Sequence, residues 1–238
     1  MSQQRFTDLV DMYRQAVTAF GPRRLFGSKI DGTWQWTTYA EFGRQVDEVR
    51  AGLALLGVGR GDTVGVIAGN RVEWAVCAYA VYGLGARYAP MYEHQLAKDW
   101  EYILDDSDAK LVIVSSAEIY AQVEPWCGKL GRLEHVVGMD LPGDDDTSLA
   151  SVRARGLEAP CEPAAIDPSD ICGFIYTSGT TGNPKGVLLS HSNIVSNINA
   201  VHSFMPMQTE DMSLAFLPWA HSFGQTCELH CLLSMGAA

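Results

Sequence analysis

The chain has 238 residues, of which 47% are hydrophobic and 19% are charged, a balance typical of a globular protein with a sizeable core. Its formal net charge is −11 at pH 7. Because affinity for nucleic acid depends on lysines and arginines that neutralise phosphates, we do not expect a chain this acidic to bind DNA or RNA.

The cysteines and the N-terminal segment bear on the cellular compartment. Six cysteines are present, none of them in a C-x-x-C pair, and several lie in apolar stretches, as free cysteines of a core do. The N-terminal segment lacks the apolar centre of a signal peptide, and no stretch approaches the roughly 18 apolar residues of a membrane span. These features predict a cytoplasmic protein without a transmembrane segment.

The first part of the chain predicts two helices separated by a turn. Apolar residues recur at helical spacing within 5–19, and a short strand and turn follow around Asp31 and Gly32. Thr38 and Glu41 have the spacing of a capping box, which predicts a second helix that ends near Gly57.

The next part of the chain alternates short apolar runs with helical segments. The predicted strands are 62–67, 87–91, 110–115 and one near 134–137, and the helices between them are 71–83, 95–105 and 117–127. This alternation predicts an α/β fold in which helices cover a mainly parallel sheet.

The last hundred residues or so begin with an acidic segment that bears prolines. Within 138–170, three consecutive aspartates at 144–146 could hold a metal ion, but a solvated loop is the favoured interpretation of such a run. The elements predicted after this segment are strands at 171–176 and 186–190, a helix at 192–204, a strand at 213–217 and a helix at 223–234.

The loop between strands 171–176 and 186–190 says the most about function. It reads T-S-G-T-T-G-N-P-K from Thr177 to Lys185. Small residues let the backbone approach a ligand closely, and successive N–H groups in such a turn form an anion-binding nest. The hydroxyls add donors and Lys185 adds a point charge, so the loop is suited to a polyphosphate.

This loop is not a Walker A loop. That pattern requires adjacent Gly and Lys, followed by Ser or Thr at the start of a helix. Here two residues separate Gly182 from Lys185, and a strand follows the loop. A flexible hairpin is the alternative interpretation, but the lysine after Asn-Pro between two apolar strands favours phosphate binding.

The segment from Thr177 to Gly186 resembles the signature loop of the adenylate-forming enzymes, which include acyl-CoA synthetases, peptide-synthetase adenylation domains and firefly-type luciferases. In that family the loop holds the β- and γ-phosphates of ATP while a carboxylate attacks the α-phosphorus. The resemblance therefore implies that ATP contacts a set of loop residues. These are Thr177, Ser178, Gly179, Thr180, Thr181, Gly182 and Lys185, of which Lys185 has a catalytic role.

A second segment, Leu217 to Gly224, follows a predicted strand and precedes a predicted helix. Ligands of open α/β sheets bind at the carboxyl ends of strands, so His221 is well placed for a ligand, although it could equally be a helix-start histidine bonded to the backbone. The segment resembles the family motif Pro-x-x-His-x-Phe-Gly. The resemblance implies that His221 is catalytic and, with Phe223 and Gly224, contacts the acyl substrate.

Other candidate residues are interpreted as structural. His191 is expected to cap the helix at 192–204. Cys227, His230 and Cys231 lack zinc-like spacing and predict core packing rather than a metal site. Glu228 is predicted to be an acid on a helix surface rather than a catalytic group. No metal ligand is assigned to this chain.

The resemblance is greatest to the N-terminal part of a bacterial long-chain fatty-acyl-CoA synthetase, on Leu217–Gly224 and on the segment from Tyr88 to Ser107. It implies ATP-dependent conversion of a fatty acid to acyl-AMP and then acyl-CoA, with Mg²⁺ and with CoA bound largely outside this chain. It also implies a first α/β subdomain at about 58–208 and the start of a second at 209–238.

Three motifs of the family are not found in the 238 residues: the magnesium-holding glutamate, the ribose-binding aspartate and the lid domain with its lysine. We therefore expect an N-terminal portion without the C-terminal lid that makes no acyl-CoA alone and binds ATP no better than about millimolar. Apolar surface on helix 223–234 is expected to favour self-association. A fatty-acyl-AMP ligase, another carboxylate-adenylating enzyme and a non-catalytic nucleotide-binding module are the alternatives.

Overall fold

The computed structural model describes residues 5–177 and 184–238. Its strands are β1 (Arg24–Ile30), β2 (Thr33–Thr38), β3 (Thr63–Ile67), β4 (Arg87–Met91), β5 (Ala109–Val114), β6 (His135–Gly138), β7 (Ile171–Thr177) and β8 (Lys185–Ser190). Its α-helices are α1 (Leu9–Phe20), α2 (Tyr39–Leu55), α3 (Val72–Gly83), α4 (Ala97–Asp106), α5 (Ala117–Val123), α6 (Leu149–Glu158), α7 (His191–Phe204) and α8 (Cys231–Met235). A π-helix over Gly224–His230 leads into α8.

The central sheet has six strands in the order β6-β5-β3-β4-β7-β8. Every pair in it is parallel except β7 and β8, which pair antiparallel as a hairpin. This confirms the predicted α/β fold with a mainly parallel sheet. β1 and β2 form a separate antiparallel hairpin where the sequence predicted only a short strand and turn.

Both faces of the sheet are buried, as a parallel sheet requires. Val64 and Val66 of β3 belong to a large core that also contains side chains of α1, α2, α3 and the π-helix. Ile67 faces the other side, into a smaller core with Trp100 of α4 and Ile119 of α5. Side chains therefore alternate between two cores along the strand, and this fixes the register of β3.

The helix boundaries follow local chemistry. Thr38 caps α2, and the capping box with Glu41 that the sequence predicted is confirmed with both hydrogen bonds. α5 is shorter than the predicted 117–127, because a 3₁₀ turn with Pro125 near its start replaces its end. Among the described residues, no helix is long and apolar enough to cross a membrane.

The predicted strand at 213–217 is wrong in this structure. The segment has isolated hydrogen bonds and no ladder: for example, Ser213 donates to the carbonyl of Ala238 at 2.9 Å, and Ala238 donates to that of Asp211 at 3.1 Å. Met212, Leu214 and Phe216 are exposed, with the last two at 74%. The residues have strand propensity, but no described strand pairs along them.

The apolar surface predicted on helix 223–234 is present at Phe223, which is 59% exposed, but not along the rest of the helix. Leu229, Cys231, Leu233 and Met235 are all buried against the rest of the chain. The buried part of this helix therefore offers no apolar surface through which two chains could associate.

Helices α2 and α6 approach each other backbone to backbone at two glycines. A Cβ at Gly156 would lie 1.9 Å from the carbonyl oxygen of Glu48, and one at Gly52 would lie 2.1 Å from that of Val152. Contacts this short are impossible, so an added side chain must push the helices apart.

We predict that Gly156→Ala lowers the free energy of unfolding by about 3 kcal/mol, at the upper end of overpacking effects. Gly143→Ala is the matched control, because the nearest atom to its Cβ is 3.7 Å away. Urea unfolding of the three proteins measures the difference. Equal midpoints for both variants would contradict the packing of α2 on α6.

Candidate functional site

The carboxyl ends of β3, β4 and β5 lie at one edge of the sheet, where Glu93 connects the loops that follow them. Its Oε2 accepts a hydrogen bond from the backbone N–H of Gly69 at 3.1 Å, and its Oε1 accepts one from the hydroxyl of Ser115. Sequence reasoning missed Glu93, although an acid directly after a predicted parallel strand was a signal for it.

β7 ends at the same edge and turns back as β8. Thr177 is paired with Lys185 and Tyr176 with Gly186, so the two strands form the stem of the loop that is predicted to bind phosphate. The ring of Tyr176 lies over Gly186, where a Cβ would be 2.9 Å from its Cζ. A larger residue than glycine at 186 would displace this ring.

Tyr176 also connects the stem to α4. Its hydroxyl donates to Oδ2 of Asp106 at 2.8 Å, at the end of that helix. Burial raises the pKa of Tyr176, and the hydrogen bond to the Asp106 carboxylate raises the pKa further, so the phenol stays protonated and keeps donating. The stem is thus fixed to the helix layer just before the loop begins.

The predicted ATP-binding residues divide into two groups. Thr177 and Lys185 are described: both are exposed and they face each other across the mouth of the hairpin. Ser178, Gly179, Thr180, Thr181 and Gly182 lie outside the described residues, and their ATP contacts stay a prediction.

The second predicted segment is attached to the same edge by Asn70, which follows β3. The side-chain N–H of Asn70 donates to the carbonyl of Leu217 at 2.7 Å, and its Oδ1 accepts from the backbone N–H of Trp219 at 2.8 Å. Both polar atoms of Asn70 therefore hold the turn that carries His221. This residue too was missed from the sequence, despite its place after a strand.

His221 begins the final helical segment. Its backbone N–H donates to Pro218 at 3.0 Å, and its Nδ1 accepts from the backbone N–H of Phe223 at 3.2 Å. The helix-start arrangement is therefore present, and it does not compete with a ligand role. Because Nδ1 accepts, a neutral ring carries its proton on Nε2, and the exposed side chain can donate that proton to an anionic oxygen.

Phe223 and Gly224, the other predicted acyl contacts, differ in exposure. Phe223 is 59% exposed beside His221 and offers an apolar surface. Gly224 is buried, and a Cβ there would lie 2.5 Å from the carbonyl oxygen of Pro218. Close backbone packing therefore explains glycine at 224, and its predicted acyl contact stays a prediction.

The two histidines interpreted as structural are buried. His191 is the first residue of α7, but Ser190 is its cap, together with Asn193, so the capping role expected of His191 is wrong. Nδ1 of His191 instead accepts from the backbone N–H of Leu9 at 3.4 Å. Nδ1 of His230 lies 2.7 Å from the hydroxyl of Tyr79 in the core, which confirms core packing for that residue.

Glu228 is not the surface acid that the sequence predicted. It is 9% exposed, and its Oε2 is buried without a hydrogen-bond partner among the described residues. A helical pattern alone did not reveal this, because the π-helix rotates the residues relative to α-helical spacing.

The described residues offer no cluster of metal ligands. Across residues 5–177 and 184–238, no group of three His, Cys, Asp or Glu side chains is arranged to hold a metal ion. The 144–146 aspartates lie in a turn, where the carboxylate of Asp145 accepts from the backbone N–H of Thr147 at 2.8 Å.

Comparison with known proteins identifies the family. The chain matches the AMP-binding enzyme family over residues 13–238 and therefore belongs to it. It is 33% identical over 199 residues to the long-chain-fatty-acid–CoA ligase FadD15 of Mycobacterium bovis, a match that covers 81% of this chain and 33% of that protein. It is 31% identical over 216 residues to the long-chain-fatty-acid–CoA ligase of Thermus thermophilus, covering 90% of this chain and 39% of the relative.

Solved structures agree with this assignment. The anthranilate CoA ligase AuaEII, in complex with anthranoyl-AMP, superposes with a TM-score of 0.86 and 25% identity, over 97% of this chain and 44% of that one. The fold is thus that of the N-terminal domain of adenylate-forming enzymes. The chain spans about a third of the length of the curated relatives that it matches first.

The buried histidines predict a pH-dependent stability. Burial lowers the pKa of His191 to about 4 and that of His230 to about 3, so both are neutral in the folded state. In the unfolded chain each takes up a proton near pH 6.5. Their contribution to stability is therefore complete above pH 6.5 and decreases as the pH falls toward 4.

We predict that lowering the pH from 7.5 to 5 reduces the free energy of unfolding by roughly 2 kcal/mol for each of these histidines. His230→Gln should make the decrease in the free energy of unfolding smaller by about 2 kcal/mol. His94→Gln, at an exposed position, should leave the decrease unchanged. Urea unfolding at several pH values measures the slopes. An unchanged slope in His230→Gln would contradict a neutral buried His230.

Proposed function

We propose that this chain is the phosphate-binding and acyl-activating part of an AMP-forming long-chain fatty-acid–CoA ligase. One observation carries the proposal: the hairpin stem of β7 and β8 and the His221 turn are attached to the carboxyl edge of the same sheet. ATP phosphates held at the loop and a carboxylate held near His221 would then meet at that edge. The long-chain ligases among the relatives support the substrate class.

The residues have distinct roles in this proposal. Lys185 and the loop N–H and hydroxyl groups stabilise the charge that develops on pyrophosphate as it leaves. Nε2 of His221 donates to an oxygen of the acyl or phosphoryl group, and Phe223 contacts the chain of the fatty acid. Magnesium, when bound, neutralises further phosphate charge. CoA then takes the acyl group at a site largely outside these residues.

We also propose that residues of about 58–208 form a first α/β subdomain and that residues 209–238 begin a second. The enzyme is proposed to be cytoplasmic. A different carboxylic acid is the main alternative, since a structure with bound anthranoyl-AMP is among the most similar. A fatty-acyl-AMP ligase differs in the final acceptor only, and a non-catalytic module would bind ATP without using it.

We predict that Lys185→Ala weakens the binding of ATP to the 238-residue protein by about 5- to 150-fold, because a charge-assisted contact contributes roughly 1–3 kcal/mol. The wild-type dissociation constant is expected near millimolar. Line broadening of the ³¹P resonances of ATP measures the dissociation constants of the wild type and of the variant. Lys129→Ala is the control, since Lys129 is exposed on the loop before β6. Equal broadening by all three proteins would contradict the role of Lys185.

The substrate class is tested separately through formation of acyl-AMP. A chain that also carries the C-terminal lid is incubated with Mg-ATP and either palmitate or anthranilate, and AMP and pyrophosphate are measured, with and without CoA. Turnover with palmitate by that longer chain, abolished by His221→Ala, would support the ligase, and turnover with anthranilate alone would contradict the fatty-acid substrate. From the 238-residue chain alone we expect no acyl-CoA, and steady AMP production above a Lys185→Ala control would overturn that expectation.

A further inference from the structure

Two side chains at the carboxyl edge, those of Glu93 and Asn70, connect the sheet to the turn that carries His221. Glu93 holds the backbone N–H of Gly69 with its Oε2, and the next residue along the chain, Asn70, holds the turn. Asn70 and Leu217, which meet at this contact, are 147 residues apart in the sequence. A path of hydrogen bonds therefore runs from the sheet edge to the turn.

The path begins at Ser115, which follows β5 and is only 3% exposed. Its hydroxyl donates to Oε1 of Glu93, and its backbone N–H donates to the carbonyl of Ile67 at 3.0 Å. A Cβ at Gly69 would lie 3.1 Å from Oε2 of Glu93, so glycine at this position lets the carboxylate approach the backbone closely. Both carboxylate oxygens are thus engaged by donors that follow two different strands, β3 and β5.

Asn70 is suited to the other end of the path because an amide side chain carries a donor and an acceptor at the same time. Its N–H donates to the carbonyl of Leu217 and its Oδ1 accepts from the N–H of Trp219, so two bonds fix the orientation of the turn. The ring of Trp219 packs on Trp74 with centroids 5.7 Å apart, but its indole N–H has no partner within the described part of the chain. The path from the sheet edge therefore reaches Trp219 through its backbone.

The orientation of the turn passes to the imidazole of His221 through two further hydrogen bonds. The backbone N–H of His221 donates to the carbonyl of Pro218 at 3.0 Å, and the backbone N–H of Phe223 donates to Nδ1 of His221 at 3.2 Å. Pro218 lies between the two residues that Asn70 holds. A shift of the turn therefore shifts Nε2 of the ring, the atom proposed to donate to the substrate.

We propose that Glu93 and Asn70 are positioning residues that act in series on His221. Glu93 fixes the loop after β3, Asn70 transmits that position to the turn, and neither side chain needs to contact ATP or the acyl group. The effect on catalysis rests on the proposed function of His221, whereas the positional coupling does not. A change at Glu93 should therefore be felt at Phe223, although no hydrogen bond of the described residues joins the two.

Amide hydrogen exchange of the 238-residue protein, followed by NMR without ligand, tests the coupling. Glu93→Ala should accelerate exchange at Trp219 and Phe223 about tenfold or more, because the loop after β3 loses its support. Glu93→Gln should restore slow exchange, since its amide has an acceptor for the backbone N–H and a donor for the serine hydroxyl. Glu118→Ala, at an exposed position on α5, is the control.

Wild-type exchange at Trp219 and Phe223 in Glu93→Ala would overturn the proposal. So would equally accelerated exchange at Val64 in the core, because a general loss of stability does not single out the turn. If Glu93→Ala does not fold, Ser115→Ala removes one of the two donors to the carboxylate. Faster exchange at Trp219 is then expected again, and unchanged exchange there would overturn the proposal equally.

The catalytic consequence is measured in a chain that also carries the C-terminal lid. Asn70→Ala should lower kcat for acyl-AMP formation about 10- to 100-fold and leave KM for Mg-ATP nearly unchanged, because the hairpin stem is attached separately. Asn197→Ala, exposed on α7, is the control. In a His221→Ala background, Asn70→Ala should have little further effect, and additive losses would overturn its action through His221. Full activity of His221→Ala alone would instead contradict the proposed function, and the exchange result then decides the coupling.

Discussion

Parallel pairing of β3 with both β4 and β5 is the constraint on which the rest of the structure depends. Parallel strands must be connected by crossovers, so their carboxyl ends all emerge at one edge and their helices cover both faces. Loops that are distant in sequence are thereby brought together. Glu93 and Asn70 then convert this proximity into defined contacts through hydrogen bonds to the neighbouring loops.

The antiparallel pair of the central sheet, β7 with β8, has a different consequence. Because β8 returns directly beside β7, the loop predicted to bind phosphate is flanked by a hairpin stem and not by a helix N-terminus. A helix dipole is therefore not available at the end of β7, as it is in a Walker A loop. If the loop binds phosphate as we propose, Lys185 at the end of the stem supplies positive charge to it.

Much of the fold was predictable because its signals are local. The alternation of buried strands and helices gave the sheet, and Thr38 with Glu41 gave the start of α2. The strand at 213–217 was predicted wrongly because propensity reports what a segment favours, whereas a strand also needs a hydrogen-bonded neighbour. The burial of Glu228 escaped prediction because a π-helix changes which residues share a face.

The candidate site was predictable in part for a similar reason. Lys185 and His221 could be chosen as candidate site residues from the sequence because of their residue types and neighbours. The contact of Asn70 with Leu217 and the contact of Tyr176 with Asp106, in contrast, join residues far apart in the chain. No local pattern encodes such pairs. They are the contacts that place the hairpin stem and the His221 turn relative to the sheet.

Hydrogen exchange of the backbone amides, with and without millimolar Mg-ATP, tests the central claim that one edge of the sheet holds the nucleotide. The account predicts slower exchange in two separate peptides, one covering 177–190 and one covering 217–224, with little change on the β1–β2 hairpin. Protection of the hairpin instead, or of neither peptide at saturating ATP, would contradict it.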